Sequence, residues 1–240
     1  MQRVGVLATV VVLGCGNSES DKTVTLDLTV VEFDPGSDED TPFEGAEVCV
    51  ADTSNCATSD ADGIVQLEIP ANAELELLVT AEGYTPTLTP QTTSDQDITT
   101  QLTPLLSDQT ATLLAGVLNT PYPLGDNGLA AISVLTAPVT ASNNGIAGVT
   151  LTPDPGATVF YLDENEFPTR DLSATTAPSG AGGLIEVAPG TWELDLGGTA
   201  SNCVIVAGWP GSTDSSVRLP VRAGFVTQGF VTCDPVASTP

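Results

Sequence analysis

Val24, Leu26, Leu28 and Val30 alternate with Thr23, Thr25, Asp27 and Thr29, and this rhythm constrains the fold more than any other feature of the chain. A period of two places the apolar residues on one face of an extended strand and the polar ones on the other. The pattern returns at Ala46, Val48 and Val50, at Val65, Leu67 and Ile69, and at Leu75, Leu77, Val79 and Ala81. Asp60-Ala61-Asp62-Gly63 and Pro70-Ala71-Asn72 punctuate the runs as turns do. Strands this closely spaced, with no helix-length segment between them, predict a small antiparallel sandwich. Cys49 falls on the face opposite Ala46, Val48 and Val50, so a bridge to Cys56 staples a hairpin outside the main core.

One helix is expected, over residues 107–119. Ser107 caps it, Asp108 suits its positive end, Leu113, Leu114, Val117 and Leu118 form its apolar stripe, and Pro121 and Pro123 end it. Strand rhythm then resumes at 130–135, 148–152, 158–162, 183–187, 192–196, 203–206, 217–221 and 225–233. The expected organisation is a first sandwich over 23–103, a connector over 104–126, a second sandwich over 127–234 and a disordered tail over 235–240.

Before the first strand the chain has a different character. Arg3 is the single charge ahead of a short apolar run that ends in Leu13-Gly14-Cys15. A basic start, a short apolar core and small residues at the cut describe a secretory signal over residues 1–14. The cysteine that follows resembles the lipobox of bacterial lipoproteins, although Val12 stands where Leu is commonest. The resemblance implies a diacylglyceryl group on Cys15, a tether over residues 15–22, and a membrane partner reached through lipid. Gly16 replaces the aspartate that marks inner-membrane retention, so the expected location is the bacterial envelope at the outer membrane.

Charge narrows the partners. The chain has 31 acidic residues, five basic ones and no histidine, for a formal charge of −26. Such a surface repels nucleic acid phosphates and favours cations or basic partners. The absence of histidine removes Ser-His-Asp and Cys-His nucleophiles and histidine-ligated metals.

With Cys15 assigned to lipid, four cysteines allow three pairings. The pairs Cys49–Cys56 and Cys203–Cys233 are favoured because each lies within one expected domain. Loop closure makes them worth about 2.5 and 3.7 kcal/mol. Their spacing lacks the paired Cys-x-x-Cys of a zinc site.

Residues 42–84 resemble the carboxypeptidase regulatory-like modules, which are sandwiches of the transthyretin (prealbumin) type. The matching pieces are Pro42-Phe43-Glu44-Gly45-Ala46-Glu47-Val48, Thr58-Ser59-Asp60-Ala61-Asp62-Gly63, Pro70 and Ala81-Glu82-Gly83-Tyr84, in that order. Gly156-Ala157-Thr158-Val159 and Pro189-Gly190-Thr191-Trp192 repeat the scheme loosely, without the acidic turn or the Gly-Tyr ending. The resemblance implies an accessory, binding or spacer module with no catalytic residues to transfer. The expected fold is therefore all-β: two small antiparallel β-sandwich (transthyretin/Ig-like) domains joined by a short helix.

Three constellations compete with a purely structural role. Asp60 and Asp62 open like a calcium loop, yet position twelve is Ala71 where an EF-hand needs glutamate, so the string reads first as a turn. Trp209, in Gly-Trp-Pro-Gly, is a loop aromatic placed either to stack a glycan or to cap a sandwich. Glu164 with Glu166, or Glu193 with Asp195, supply carboxylate pairs of the hydrolase type, at positions where exposed strand and loop acids are usual. The resulting expectation is a non-catalytic envelope lipoprotein for structure, adhesion or ligand presentation, with an envelope protein or glycan as partner. The alternatives are a calcium- or carbohydrate-binding surface protein and a carboxylate-based hydrolase.

Overall fold

The computed structural model describes residues 22–35, 40–137, 144–177 and 179–235. The expected signal over residues 1–14, Cys15, residues 36–39 and residues 236–240 lie outside the described residues. The N-terminal half runs β1 (Thr23–Glu32), β2 (Thr41–Pro42), β3 (Glu47–Val50), β4 (Cys56–Thr58), β5 (Ile64–Pro70), β6 (Glu74–Thr80), β7 (Tyr84–Thr85), β8 (Thr87–Thr92) and β9 (Ile98–Ser107). Helix α1 (Asp108–Leu118) follows. The C-terminal half continues with β10 (Gly128–Leu135), β11 (Val149–Pro153), β12 (Thr158–Leu162), β13 (Pro168–Thr169), β14 (Ala181–Val187) and β15 (Gly190–Gly198). It closes with β16 (Ala200–Ala207), β17 (Trp209–Pro210), β18 (Ser216–Val221) and β19 (Val226–Pro235). The protein is an all-β sandwich fold with one short helix.

The alternation that marks β1 is the burial pattern of its strand. Val24, Leu26, Leu28 and Val30 pack with Val65, Leu67 and Ile69 of β5, and with Val48 and Val79 of β3 and β6. Gly63 shows what the Asp-Ala-Asp-Gly turn requires. Its φ is +73°, and an added Cβ would sit 2.3 Å from the Val30 carbonyl oxygen, so no other residue fits without moving β1. A second core joins Ile132, Leu184, Leu194 and Leu219 across β10, β14, β15 and β18.

The halves are not separate beads. A ten-stranded sheet runs β13-β12-β14-β10-β19-β8-β6-β3-β4, with β16 also on β19. The sheet crosses from one half to the other where β19 pairs in parallel with β8, Val226 opposite Thr87 and Thr227 opposite Leu88. A five-stranded sheet (β1, β2, β5, β7, β9) covers the N-terminal part and a four-stranded sheet (β11-β15-β18-β17) the C-terminal part. Most pairings are antiparallel, while β1–β9 and β10–β19 are parallel, as β8–β19 is. Disulfides join Cys49 to Cys56 and Cys203 to Cys233. Cys49 stands directly opposite Cys56 across β3 and β4 and is half-buried.

Helix α1 begins where its cap predicts. The Ser107 side chain accepts a hydrogen bond from the Thr110 N–H, and Asp108 lies in the first turn. At the other end Asn119 turns left-handed at φ 51°, and the N–H groups of Asn119 and Thr120 return to the carbonyls of Gly116 and Ala115. Trp209, expected in a loop, instead begins β17 and pairs with Arg218 of β18.

Candidate functional site: a hollow beside the inter-half junction

The junction has two sides. On one, Glu74 and Glu76 of β6, with Asp52 beside them, meet Arg218 of β18 and Arg222 just beyond its end. Arg218 pairs with Glu74 at 2.5 Å, and Arg222 pairs with Glu76 at 2.5 Å and Asp52 at 2.9 Å. The Trp209 indole N–H donates to the Leu75 carbonyl at 3.2 Å, and the Arg218 guanidinium stands 5.7 Å from the Trp209 ring centre. The described basic side chains are all engaged inside the molecule. Lys22 pairs with Asp95, and Arg170 donates to the Leu118 carbonyl at the negative end of α1.

The other side is apolar. The odd-numbered face of β10 (Leu129, Ala131, Ser133) points away from the C-terminal core, and Leu129 and Ala131 pack against a cluster of Leu118 from α1, Phe160 from β12 and Ile185 from β14. Small residues at Ala131, Ser133 and Ala181 leave a hollow that the surrounding large side chains do not fill. A cavity of about 170 Å³ lies there, walled by Phe160, Phe230 and Leu118 and by Pro104 and Leu106 of β9. A second, of about 130 Å³, adjoins it, sharing Phe33, Pro104, Ser133, Leu162, Ala181 and Phe230.

Polar groups without partners line both cavities. Gln101 is 2% exposed, and neither its Nε2 nor its Oε1 has a hydrogen-bond partner. Ser179 is 6% exposed, and its Oγ is likewise unpaired. Both line the second cavity, together with the carboxylate residues Asp40 and Glu166. In the first cavity, Gln228 donates through Nε2 to the Pro104 carbonyl at 2.7 Å and keeps an unpaired Oε1. The Thr120 hydroxyl is unpaired there too. Leaving such atoms buried and unpaired costs about 1–3 kcal/mol each, so their concentration around one hollow requires a reason.

Of the sequence-predicted residues only Glu166 borders the hollow. Asp60 Oδ1 accepts the N–H groups of Asp62 and Ile64 at 3.0 and 2.9 Å, the work of a turn-closing aspartate, and Asp62 is exposed. Trp209 is half-buried, with its N–H committed to the other half. Glu193 accepts from the Ser212 N–H at 2.5 Å and the Ser216 hydroxyl at 2.7 Å, and these bonds hold its carboxyl down at about 2. Asp195 is exposed on the same strand. Of the other carboxylate pair, Glu166 lines the second cavity and Glu164 is exposed. Glu47 lies within metal-ligand reach of Cys49 and Cys56, but both sulfurs are spent in the disulfide and are no longer thiolate ligands. Sequence reasoning missed Gln101, Ser179 and Gln228, because a single amide in a polar strand, or a serine in the turn before β14, carries no pattern that marks it as buried.

These sandwiches define the class of the protein as all-β and sandwich-built. No family model matches the chain, and no curated protein matches it in sequence. Among solved structures it is similar to GBS52, the minor pilin of Streptococcus agalactiae, at 11% identity over 90% of this chain and 99% of that one, with a TM-score of 0.27. It is also similar to the Bacillus anthracis TIE protein, at 11% identity over 88% of this chain, with a TM-score of 0.27. A third is a type II cohesin–X-dockerin complex from Acetivibrio cellulolyticus, at 14% identity over 35% of this chain, with a TM-score of 0.28. The chain spans 58% of the matched cohesin–dockerin chain and 34% of the TIE protein. Identities this low leave function to be argued from this chain's own residues.

Proposed function

We propose that this chain is a non-catalytic module of the bacterial cell envelope, held at the outer membrane by a diacylglyceryl group on Cys15. Its two sandwich units, residues 23–103 and 127–234, serve adhesion, scaffolding or ligand presentation as one body. The observation that carries the reading is the shared ten-stranded sheet, continuous through β8 and β19. A sheet that crosses the junction resists bending between the units, which suits a spacer or presenting module more than a hinged enzyme. The absence of histidine and the capture of Glu193 by a turn support the same reading. The left-handed backbone at Gly45, Gly63 and Gly83 supports the resemblance of residues 42–84 to carboxypeptidase regulatory-like modules.

The test is metabolic labelling of the full chain with a tritiated fatty acid in a bacterial host, followed by membrane fractionation. The expected outcome is label in the outer-membrane fraction, with Cys15→Ser losing the label and leaving that fraction. Unchanged label and location in Cys15→Ser sink the anchor.

A further inference from the structure

We propose that the paired cavities, one beneath α1 and one adjoining it, form a binding site for a small cationic amphiphile: a protonated primary amine on a compact apolar body of about one ring. This goes beyond the envelope role and holds whether or not Cys15 is acylated.

Size and lining set the body of the ligand. A dry cavity of about 150 Å³ accepts benzene, and the cavity walled by Phe160, Phe230 and Leu118 measures about 170 Å³. The head group follows from the second cavity. Gln101, at 2% exposure, has an amide unpaired at both ends, and Ser179, at 6%, has an unpaired hydroxyl. An ammonium brings three donors, which the Gln101 Oε1 and the Ser179 Oγ can accept.

Charge chooses among polar heads. Asp40 and Glu166 line the same cavity, and among the described residues no lysine or arginine lines either one. Arg170 spends its guanidinium on the Leu118 carbonyl at the end of α1. A carboxylate would therefore enter with no counter-charge, against the field of a chain of formal charge −26. An ammonium gains from the same field.

The experiment compares three isosteric probes at pH 7, namely benzylamine, benzyl alcohol and benzoate. Each is titrated against the full chain carrying Cys15→Ser, which removes an acyl group as a competing occupant. Binding is read by thermal shift and by calorimetry. Benzylamine should raise the melting temperature saturably, with benzyl alcohol about tenfold weaker or more and benzoate without effect. Asp40→Asn with Glu166→Gln should erase the preference for the amine while benzyl alcohol still binds, and Gln101→Leu should weaken the binding of both. Ala131→Leu, which fills the first cavity, should abolish binding of both. If Ala131→Leu fails to fold, the Asp40→Asn, Glu166→Gln comparison decides alone. Equal binding of all three probes, tighter binding of benzoate, or no saturable binding of any overturns the proposal, the last leaving a hollow that holds only water.

Discussion

The two sides of the junction between the halves are built from opposite materials. On the β18 side, two arginines and three carboxylates meet with much of their surface in water. On the α1 side, aromatic and aliphatic side chains close over a sheet face from which most charge is absent. Exposed ion pairs contribute about 0–1 kcal/mol each, whereas a buried aromatic contributes several. The ionic side therefore sets how the halves are oriented, and the apolar side supplies most of the energy that keeps them together. The cavities occur on the energetic side, where small residues at Ala131, Ser133 and Ala181 leave part of that energy unrealised.

Removing one apolar anchor tests this division most severely. Phe160 is 5% exposed and packs with Leu118 and Ile185. Phe160→Ala should destabilise the protein by about 3–5 kcal/mol in urea unfolding. A loss below about 1 kcal/mol would show that α1 rests on the sheet without holding it. The ionic side should respond less and should respond to salt. The Arg222 side chain is 34% exposed and that of its partner Glu76 18%. Allowing for that exposure, Arg222→Met should cost about 1–2 kcal/mol at low salt. Arg218 and Glu74 are more open, at 35% and 40%, and Arg218→Met should cost under about 1 kcal/mol. Both losses should shrink in 1 M sodium chloride, where the screening length falls to about 3 Å. A salt-independent cost would mean that packing of the arginine stems, not charge, is what was lost.

The same contrast explains what could be read in the sequence. Strands with apolar alternation were legible at once: β1, β5, β15 and β18 fall where their period of two places them. So did α1, whose cap residues Ser107 and Asp108 are local signals. Two of the strands that build the junction, β8 and β9, were not legible. Thr-Leu-Thr-Pro-Gln-Thr (β8) and Ile-Thr-Thr-Gln-Leu-Thr-Pro-Leu-Leu-Ser (β9) each carry a proline, and their inward faces bear Thr87, Thr89, Gln91, Gln101 and Thr103. A buried polar face defeats a reading based on hydrophobic period. Pro90 is tolerated because β8 meets β19 only at Thr87 and Leu88, short of the proline. Since β8 carries the sheet across and β9 walls the hollow, the joining of the halves and the candidate site were hidden by the same chemistry. Asp60, by contrast, was visible in sequence because turn aspartates act on their own neighbours, and it lies at a turn away from the hollow.

The smallest effect predicted concerns how the ionic side is held in place. Glu193 pairs in register with Arg218 and binds the turn that leads into β18 through the Ser212 N–H and the Ser216 hydroxyl. Those bonds favour the charged carboxylate, lowering its pKa from the ordinary 4.5 to about 2. The unfolded chain thus takes up this proton first as pH falls. The contribution of Glu193 to stability is fully present above pH 4.5 and is lost between there and pH 2. Glu193→Gln should therefore flatten the slope of unfolding free energy against pH in that window, while leaving the slope above pH 5 unchanged. Because the carboxylate is open to solvent, the change should be modest and should weaken with salt. If wild type and Glu193→Gln show parallel slopes from pH 5 to 2, the turn forms without its carboxylate, and the placement of Arg218 and Arg222 must come from β15–β18 pairing alone.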